Sequence, residues 1–413
     1  MHLEALQRVD PELAMLLIEE QRRQMEGLEL IPSENLVEQA ILEALGSVPT
    51  NKYAEGYPGR RYYGGNEVID KIESLAISRV KKLFGAQHAN VQPYSGSPAN
   101  LAAYLAVMRP GDAFMAMKLT EGGHLSHGHP VSYTGKLFKP VHYGVDRETE
   151  MLDYDVILKQ AKETKPKVIV AGYTAYPREV DFKAFREICD TVGAVAMADI
   201  SHISGLCATG IHQNPVPSFD IVMTTTHKML RGPRGAVIMC KEELAEKVDK
   251  AVFPGMQGGP HENTIAAMAV CFKRAMDADY HDYVEQIVKN AKTLAEELMA
   301  LGARLVTGGT DTHLMLVDVT PYGITGGEAQ EMLEQAGIYC NKNTIPFDKR
   351  SPFNPSGIRL GTPVLTTRGM KEGEMKEVAA YIHRVLSSRG DGRVIEEVRA
   401  QVRELCKGFP FYS

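Results

Sequence analysis

Lys228 lies in the run Thr224-Thr225-Thr226-His227-Lys228-Met229-Leu230-Arg231-Gly232-Pro233-Arg234-Gly235, directly after the apolar residues Ile221, Val222 and Met223. This reads as a strand end followed at once by loop glycines and arginines. An amine held there, beside cations and out of bulk water, has a lowered pKa and can form a Schiff base with an aldehyde. A lysine taken alone is far more often a solvated charge, so its company decides the matter. Asp199 ends a second apolar run, Val195-Ala196-Met197-Ala198, and His202 follows it closely. In open α/β sheets ligands collect beyond the carboxyl ends of strands, where both Asp199 and Lys228 are expected. A carboxylate there can hold a protonated pyridine nitrogen; the alternative is that it caps the following turn.

Other segments carry chemistry-bearing residues. Ser95-Gly96-Ser97-Pro98-Ala99-Asn100 precedes the apolar stretch Leu101–Met108 and suits a helix start, whose free N–H groups would bind a phosphate. Gln257-Gly258-Gly259-Pro260 is a second glycine turn able to bring backbone to a phosphate. The stretch from Asn51 to Gly65 gathers Tyr53, Tyr57, Tyr62, Tyr63, Glu55 and several bases, with almost nothing aliphatic. It is expected as a loop at an interface or active site, with Glu55 and tyrosine hydroxyls available for proton transfer. His124, His127 and His129 fall close together in Gly122–His129; metal binding is the rival reading, but no carboxylate lies at ligand spacing and no metal is expected. Arg359, in Gly357-Ile358-Arg359-Leu360-Gly361, is read either as a buried structural ion pair or as a clamp on a substrate carboxylate.

The elements that position these groups follow from periodicity. Val68 to Phe84 places Val68, Ile69, Ile72, Leu75, Ala76, Val80 and Leu83 on one helical face, with Gly85 as the stop. Short apolar runs at Ala113–Met117, Val168–Ala171, Ala194–Ala198 and Ile221–Met223 read as buried parallel strands, and Ala236–Met239 as a return beside the lysine strand. Alternation of this kind predicts a mostly parallel sheet covered by helices on both faces. A long helical pattern from about Thr264 to Leu301 leads to a further unit with a strand at Leu314–Val319, a helix after Thr325-Gly326-Gly327 and a closing helix after Thr366. At 413 residues the chain is expected to form two domains or more, and a net charge of -6 offers no general attraction to nucleic acid or anionic membranes. Cys189, Cys207, Cys240, Cys271, Cys340 and Cys406 are scattered without CxxC spacing and read as reduced core residues of a cytosolic protein. The start Met1-His2-Leu3-Glu4 does not read as a secretion signal, and no stretch reads as a membrane span.

Taken together these segments resemble the serine hydroxymethyltransferases, a family of fold-type I enzymes dependent on pyridoxal 5′-phosphate. The resemblance covers nearly the whole chain. It rests on Leu30-Ile31-Pro32-Ser33-Glu34-Asn35, Thr50–Gly65, Asn90–Asn100, Gly122–Gly128, Asp199–His202, Thr224–Gly235, Phe253–Pro260, Asn341–Phe347 and Arg359–Pro363, in family order. It implies an α/β fold: a large domain with a mostly parallel seven-stranded sheet between helices, plus a smaller α+β C-terminal domain. The bounds it suggests are an N-terminal arm over 1–59, a cofactor domain over 60–275 and a small domain over 276–413.

The resemblance also implies roles. Lys228 would carry the internal aldimine, with Thr225 beside it; Asp199 would pair with the pyridinium nitrogen and His124 stack on the ring. Ser95, Gly96 and Ser97 would hold the phosphate, with Gly258 and Gly259 reaching it from a neighbouring subunit. His202 and Thr174 would bond the phenolic oxygen, and Arg359 and Ser33 the substrate carboxylate. Glu55 would exchange a proton with the hydroxymethyl group or the folate, Tyr53 and Tyr63 would be lent across a homodimer, and His227 would tune specificity. Tetrahydrofolate, the co-substrate, would meet Leu119, Gly123, His124, Leu125, Asn343 and the turn Ser351-Pro352-Phe353. The implied reaction converts serine and tetrahydrofolate to glycine and 5,10-methylenetetrahydrofolate in the cytoplasm, in a dimer or tetramer with shared sites. Thr174 stands where many members have serine, Tyr94 where bacterial members often have histidine and Pro98 where they often have glutamine; His129 and His261-Glu262-Asn263 also depart from the commonest forms. The rivals are a threonine aldolase and a non-catalytic scaffold. Glu55 and Asn343 favour folate chemistry over the first, and a lysine, two acids and an arginine clamp together argue against the second.

Overall fold

The computed structural model describes residues 3–412, so Met1 and His2 lie outside the described residues. Contacts divide the chain into two compact units, Asn35–Glu285 and Met1–Glu34 with Gln286–Ser413.

The first unit is organised by a 7-stranded sheet. Its strands are β1 (His88–Asn90), β2 (Ala113–Met117), β3 (Lys139–Tyr143), β4 (Val168–Gly172), β5 (Val195–Asp199), β6 (Ile221–Thr225) and β7 (Ala236–Cys240). They lie in the order β1-β7-β6-β5-β4-β2-β3, with only β7 antiparallel to its neighbours. β7 does return beside the lysine strand, pairing Ala236 with Thr225. The strands are near-continuous apolar runs because both faces are covered. Phe114, Ala116, Val168, Val170, Met197, Ile221, Met223, Ala236 and Ile238 pack on one face against Ala99, Ala103 and Tyr104. The alternate residues Met115, Ile169, Ala196, Val222 and Val237 are equally buried on the other.

Helix α1 (Glu67–Phe84) forms over the predicted segment, with Ile69, Ala76 and Val80 of the expected face buried but Val68 and Leu75 exposed. Glu67 and Asp70 lie in its first turn, Lys81 and Lys82 in its last, and Gly85 is left-handed at the end. Acids at the start and bases at the end both oppose the helix dipole favourably. Helix α2 (Gly96–Val107) packs on β6 and β7, and α3 (Phe182–Val192), capped by Asp181, on β4 and β5. The long helical pattern resolves into two helices, α4 (Glu262–Ala275) and α5 (Ala278–Ala300). At the break Arg274 is gathered by Asp277 and Glu38, and Met276 and Asp277 bond back to Lys273 and Arg274 in tight turns. The division between the units falls inside α5.

The second unit carries a 4-stranded antiparallel sheet of β8 (Arg304–Leu305), β9 (Leu314–Asp318), β10 (Asn341–Asn343) and β11 (Gly357–Gly361), in the order β8-β9-β11-β10. Leu28 and Leu30 join its core with Leu316's neighbours Met315 and Val317 and with Val378, Ile382 and Val398 from the closing helices. This unit has the α+β character expected of the smaller domain. Arg368 ties the unit's chain ends together: it is 5% exposed, and it donates to the carbonyls of Gly27, Met25, Cys406 and Phe409. All six cysteines are free and buried. Among the described residues no helix is long and apolar enough to cross a membrane. Arg368→Ala would leave several buried carbonyls without donors, and a loss of roughly 3 kcal/mol is expected in urea denaturation.

Candidate functional site

The central strand β5 ends on Asp199, and its carboxylate is the hub of a buried network. Oδ1 accepts from the Ser201 hydroxyl at 2.6 Å and its backbone N–H at 3.1 Å. Oδ2 accepts from Asn100 Nδ2 at 2.9 Å and lies 3.1 Å from His127 Nε2. A carboxylate only accepts, so that imidazole nitrogen carries its proton toward Asp199. Burial alone would raise the Asp199 pKa, but His127, Asn100 and Ser201 outweigh it and hold the carboxyl well below the usual range. The site therefore keeps a permanent buried anion.

Two chains of bonds run outward from it. The Ser201 hydroxyl also accepts the Thr225 N–H at 3.1 Å, and Thr225 Oγ1 accepts Lys228 Nζ at 2.8 Å. Asn100 also donates to Ser126 at 2.8 Å, and Ser126 Oγ lies 2.7 Å from His124 Nδ1. Lys228 is 9% exposed, and its carbonyl accepts from Asn35 at 3.0 Å. Beside it, burial, Lys228 and Arg234 push His227 down to about 3, so this imidazole is neutral at physiological pH. Its Nδ1 is buried without a partner, a polar atom ready for a ligand.

The end of α2 meets the same place. Ser95 is the N-cap but makes no side-chain cap bond, which leaves its hydroxyl and the first-turn N–H groups for an anion. A Cβ at Gly96 would stand 2.9 Å from Thr225 Cγ2, so only glycine lets the helix start so close to the lysine's partner. His202, following β5, is buried, and Thr174 donates its N–H to Gly122 at 2.8 Å. Gly123 has no room for a side chain against the Met117 carbonyl, while Leu119 is half-buried and Leu125 exposed beside His124. An amine, a fixed anion, an anion-binding helix start and a ring-sized imidazole fit a phosphorylated aldehyde with a basic ring nitrogen. Among the described residues no group of three or more His, Cys, Asp or Glu could hold a metal ion.

A second cluster in the same unit surrounds Glu55. Tyr53 donates to Glu55 Oε1 at 3.3 Å, and the Tyr53 and Tyr63 rings meet edge to face at 4.8 Å. A Cβ at Gly258 would lie 3.1 Å from Glu55 Oε1, and one at Gly259 about 3.5 Å from the Tyr53 ring. Tyr94, next to Ser95, donates to the Gly259 carbonyl at 2.6 Å and stacks on His261 at 4.2 Å. In the single chain Tyr53, Tyr62 and Tyr63 are exposed, at 55%, 75% and 47%, while Tyr57 is half-buried.

The remaining residues lie in the second unit. Arg359 on β11 is 6% exposed; burial pulls its pKa down to about 10, and Nε donates to Asn341 Oδ1 at 3.1 Å. It stays cationic at neutral pH. The Gly361 N–H donates to the Leu30 carbonyl at 2.8 Å, which lays the segment leading to Ser33 along the arginine strand. Asn343 is half-buried on β10, and Ser351-Pro352-Phe353 forms an exposed turn with Phe353 87% exposed. Asn100, Ser126, His127 and Ser201 were not assigned roles by sequence reasoning. Their signal was adjacency to assigned residues; the resemblance singled out His124 among the three histidines, and nothing local to the sequence pointed to His127.

A family model described as serine hydroxymethyltransferase matches residues 6–382. A serine hydroxymethyltransferase of Koribacter versatilis (strain Ellin345) is 56% identical over 99% of this chain and 96% of its own length. One of Methanospirillum hungatei JF-1 is 55% identical over 98% of each. Gly172 lies under the hub, where a Cβ would stand 2.7 Å from Asp199 Cβ and 3.1 Å from His127 Cε1. Gly172→Ala is expected to cost about 1–3 kcal/mol by overpacking, measured by chemical denaturation.

Proposed function

Because the chain belongs to the serine hydroxymethyltransferase family, its reaction is the reversible transfer of the serine hydroxymethyl carbon, and we propose that pyridoxal 5′-phosphate at Lys228 and tetrahydrofolate as acceptor carry it. The products are glycine and 5,10-methylenetetrahydrofolate. The observation that carries this reading is the unbroken line from Asp199 through Ser201 and Thr225 to Lys228, which sets a permanent anion and a buried amine in one network.

Bound pyridoxal phosphate supplies an electron sink for the breaking carbon–carbon bond, provided that its ring nitrogen stays protonated. Asp199 meets that condition. At an effective dielectric near ~20, unit charges roughly 3 Å apart attract by about 5 kcal/mol. Lys228 offers its amine to the aldehyde, with Thr225 Oγ1 orienting Nζ. Ser95, Gly96 and Ser97 take the phosphate at the start of α2, and His124, fixed through Ser126, covers the ring. His202 and Thr174 serve the phenolic oxygen. His227, neutral and next to the lysine, adds a polar edge without a second positive charge.

Arg359 and Ser33 take the substrate carboxylate, which orients the scissile bond. Glu55 gives or takes the proton of the hydroxymethyl oxygen or folate, with Tyr53 and Tyr63 beside it. Leu119, Gly123, His124, Leu125, Asn343, Ser351, Pro352 and Phe353 contact the folate. Gly258, Gly259, Tyr53 and Tyr63 act across a homodimer in the cytoplasm, a reading supported by the exposure of the tyrosines in the single chain.

Two variants test these roles. Lys228→Ala should lose the covalent cofactor attachment that borohydride makes permanent in the wild type; retained attachment would refute the assignment. Glu55→Gln should bind serine with little change in affinity, yet lose folate-dependent kcat by about 10²-fold or more, the usual worth of general acid–base catalysis. Full folate-dependent turnover in that variant would remove Glu55 from the mechanism.

A further inference from the structure

Helix α4 begins at Glu262, two residues after Pro260 and the glycines that face Glu55 and Tyr53. Its side chain is 0% exposed, and neither carboxylate oxygen has a hydrogen-bond donor. The nearest cation, Arg61 Nη2, is 3.7 Å away. Beside it Glu73, 1% exposed, is fully supplied: Oε2 accepts from Arg61 at 2.7 Å and Oε1 from Gln92 at 2.8 Å. Two buried carboxylates in contact cannot both ionise, so one proton stays with the pair. Glu73 has the donors and keeps the charge. Glu262 has none, so it keeps the proton.

Arg61 links this pair to the catalytic loop. Its Nη1 donates to the carbonyls of Ala54 at 2.7 Å and Gly56 at 3.0 Å, the two residues flanking Glu55. Gln92 Nε2 donates to the same Gly56 carbonyl at 2.9 Å. Arg61 Nε is taken by Asp70 at 2.8 Å, and Asp70 also receives the Gly59 N–H at 2.8 Å. With Glu262 neutral, Arg61 faces two anions and still reaches both carbonyls. A third anion at 3.7 Å would compete for the guanidinium.

We propose that Glu262 is a proton-holding positioning residue: as a neutral acid near Glu73 it lets Arg61 splint the backbone on both sides of Glu55, and its ionisation loosens that splint and slows the folate-dependent step. This rests on the reading that Glu55 moves the reaction's proton. The groups facing the pair are Arg61 from the hairpin, Asp70 and Glu73 from α1, and Gln92 after β1. The helix Gln39–Leu45 also packs on α4, but its Glu43 is exposed on Gln39, and Glu38 before it is held by Arg274. Burial, and then Glu73, pushes Glu262 up to about 8, and burial pushes Glu73 up as well. The proton is bound more tightly in the folded state, so the stability it contributes is complete at acidic pH and is lost as pH rises through about 8.

The test is an alkaline titration of the holoenzyme followed by infrared difference spectroscopy and by folate-dependent serine cleavage, in wild type and in Glu262→Gln. Wild type should show buried carboxylic-acid C=O absorbance at pH 7 that disappears with a midpoint near 8. Burial raises Glu29 to the same range, so the Glu262 part is the component present in wild type and missing from Glu262→Gln. Over the same interval wild-type kcat should fall toward tenfold per pH unit above the midpoint, with KM for serine little changed. Glu262→Gln, which is neutral at every pH, should lose that alkaline fall. A wild-type spectrum without that component, or an alkaline fall that survives in Glu262→Gln, overturns the proposal. If instead Glu55→Gln turned over fully with folate, the Glu55 reading would fail while the infrared assignment stood.

Discussion

The structure depends on keeping one carboxylate ionised in the middle of a protein. Asp199 sits at the end of the central strand of an otherwise apolar sheet, where an unaccompanied anion would take up a proton instead. Its charge survives because donors from three places converge on it: Asn100 from the first turns of α2, His127 from the loop after β2, and Ser201 from its own turn. That convergence requires the parallel register of β4, β5 and β6 and the missing side chain at Gly172. The same donors pass the constraint on. Ser201 fixes Thr225 and so Lys228, and Asn100 fixes Ser126 and so His124. Anion, amine and imidazole are thus positioned by one network rather than by three.

The hairpin around Glu55 solves a different problem. Glu55 belongs to a loop with little apolar surface to bury, and such a loop needs its carbonyls held. Arg61 does this, and Asp70 and Glu73 of α1 supply the counter-charges. Asp199 and Glu262 are both buried acids in the same unit, yet their surroundings drive them in opposite directions. Many donors keep the first charged; a like-charged neighbour and no donor keep the second protonated.

Much of this was legible in the sequence. Unbroken apolar runs marked β2, β4, β5, β6 and β7, because strands covered on both faces need no polar alternation. Gly85 and the apolar periodicity of Val68–Leu83 marked α1. Lys228 and Asp199 stood out as charges at the ends of such runs, where burial makes a charge expensive unless it is used. What stayed hidden depends on tertiary contact. His127 is one histidine among three until the fold sets it 3.1 Å from Asp199. Glu262 stands out in the sequence only as part of a stretch that departs from the commonest family forms, because the sequence does not reveal that Glu73 lies near it. The break between α4 and α5 lacks glycine or proline and is made by the Arg274 contacts. The family resemblance supplied the folate and substrate roles that no local pattern could.

The central claim is that a cofactor held by the Asp199–Lys228 network and a folate co-substrate act on one amino acid. Absorbance of the purified holoenzyme with glycine, recorded before and after tetrahydrofolate is added, tests this most directly. The account predicts that folate brings up a new, strongly absorbing long-wavelength band that is weak with glycine alone. A glycine spectrum that tetrahydrofolate leaves unchanged would contradict it.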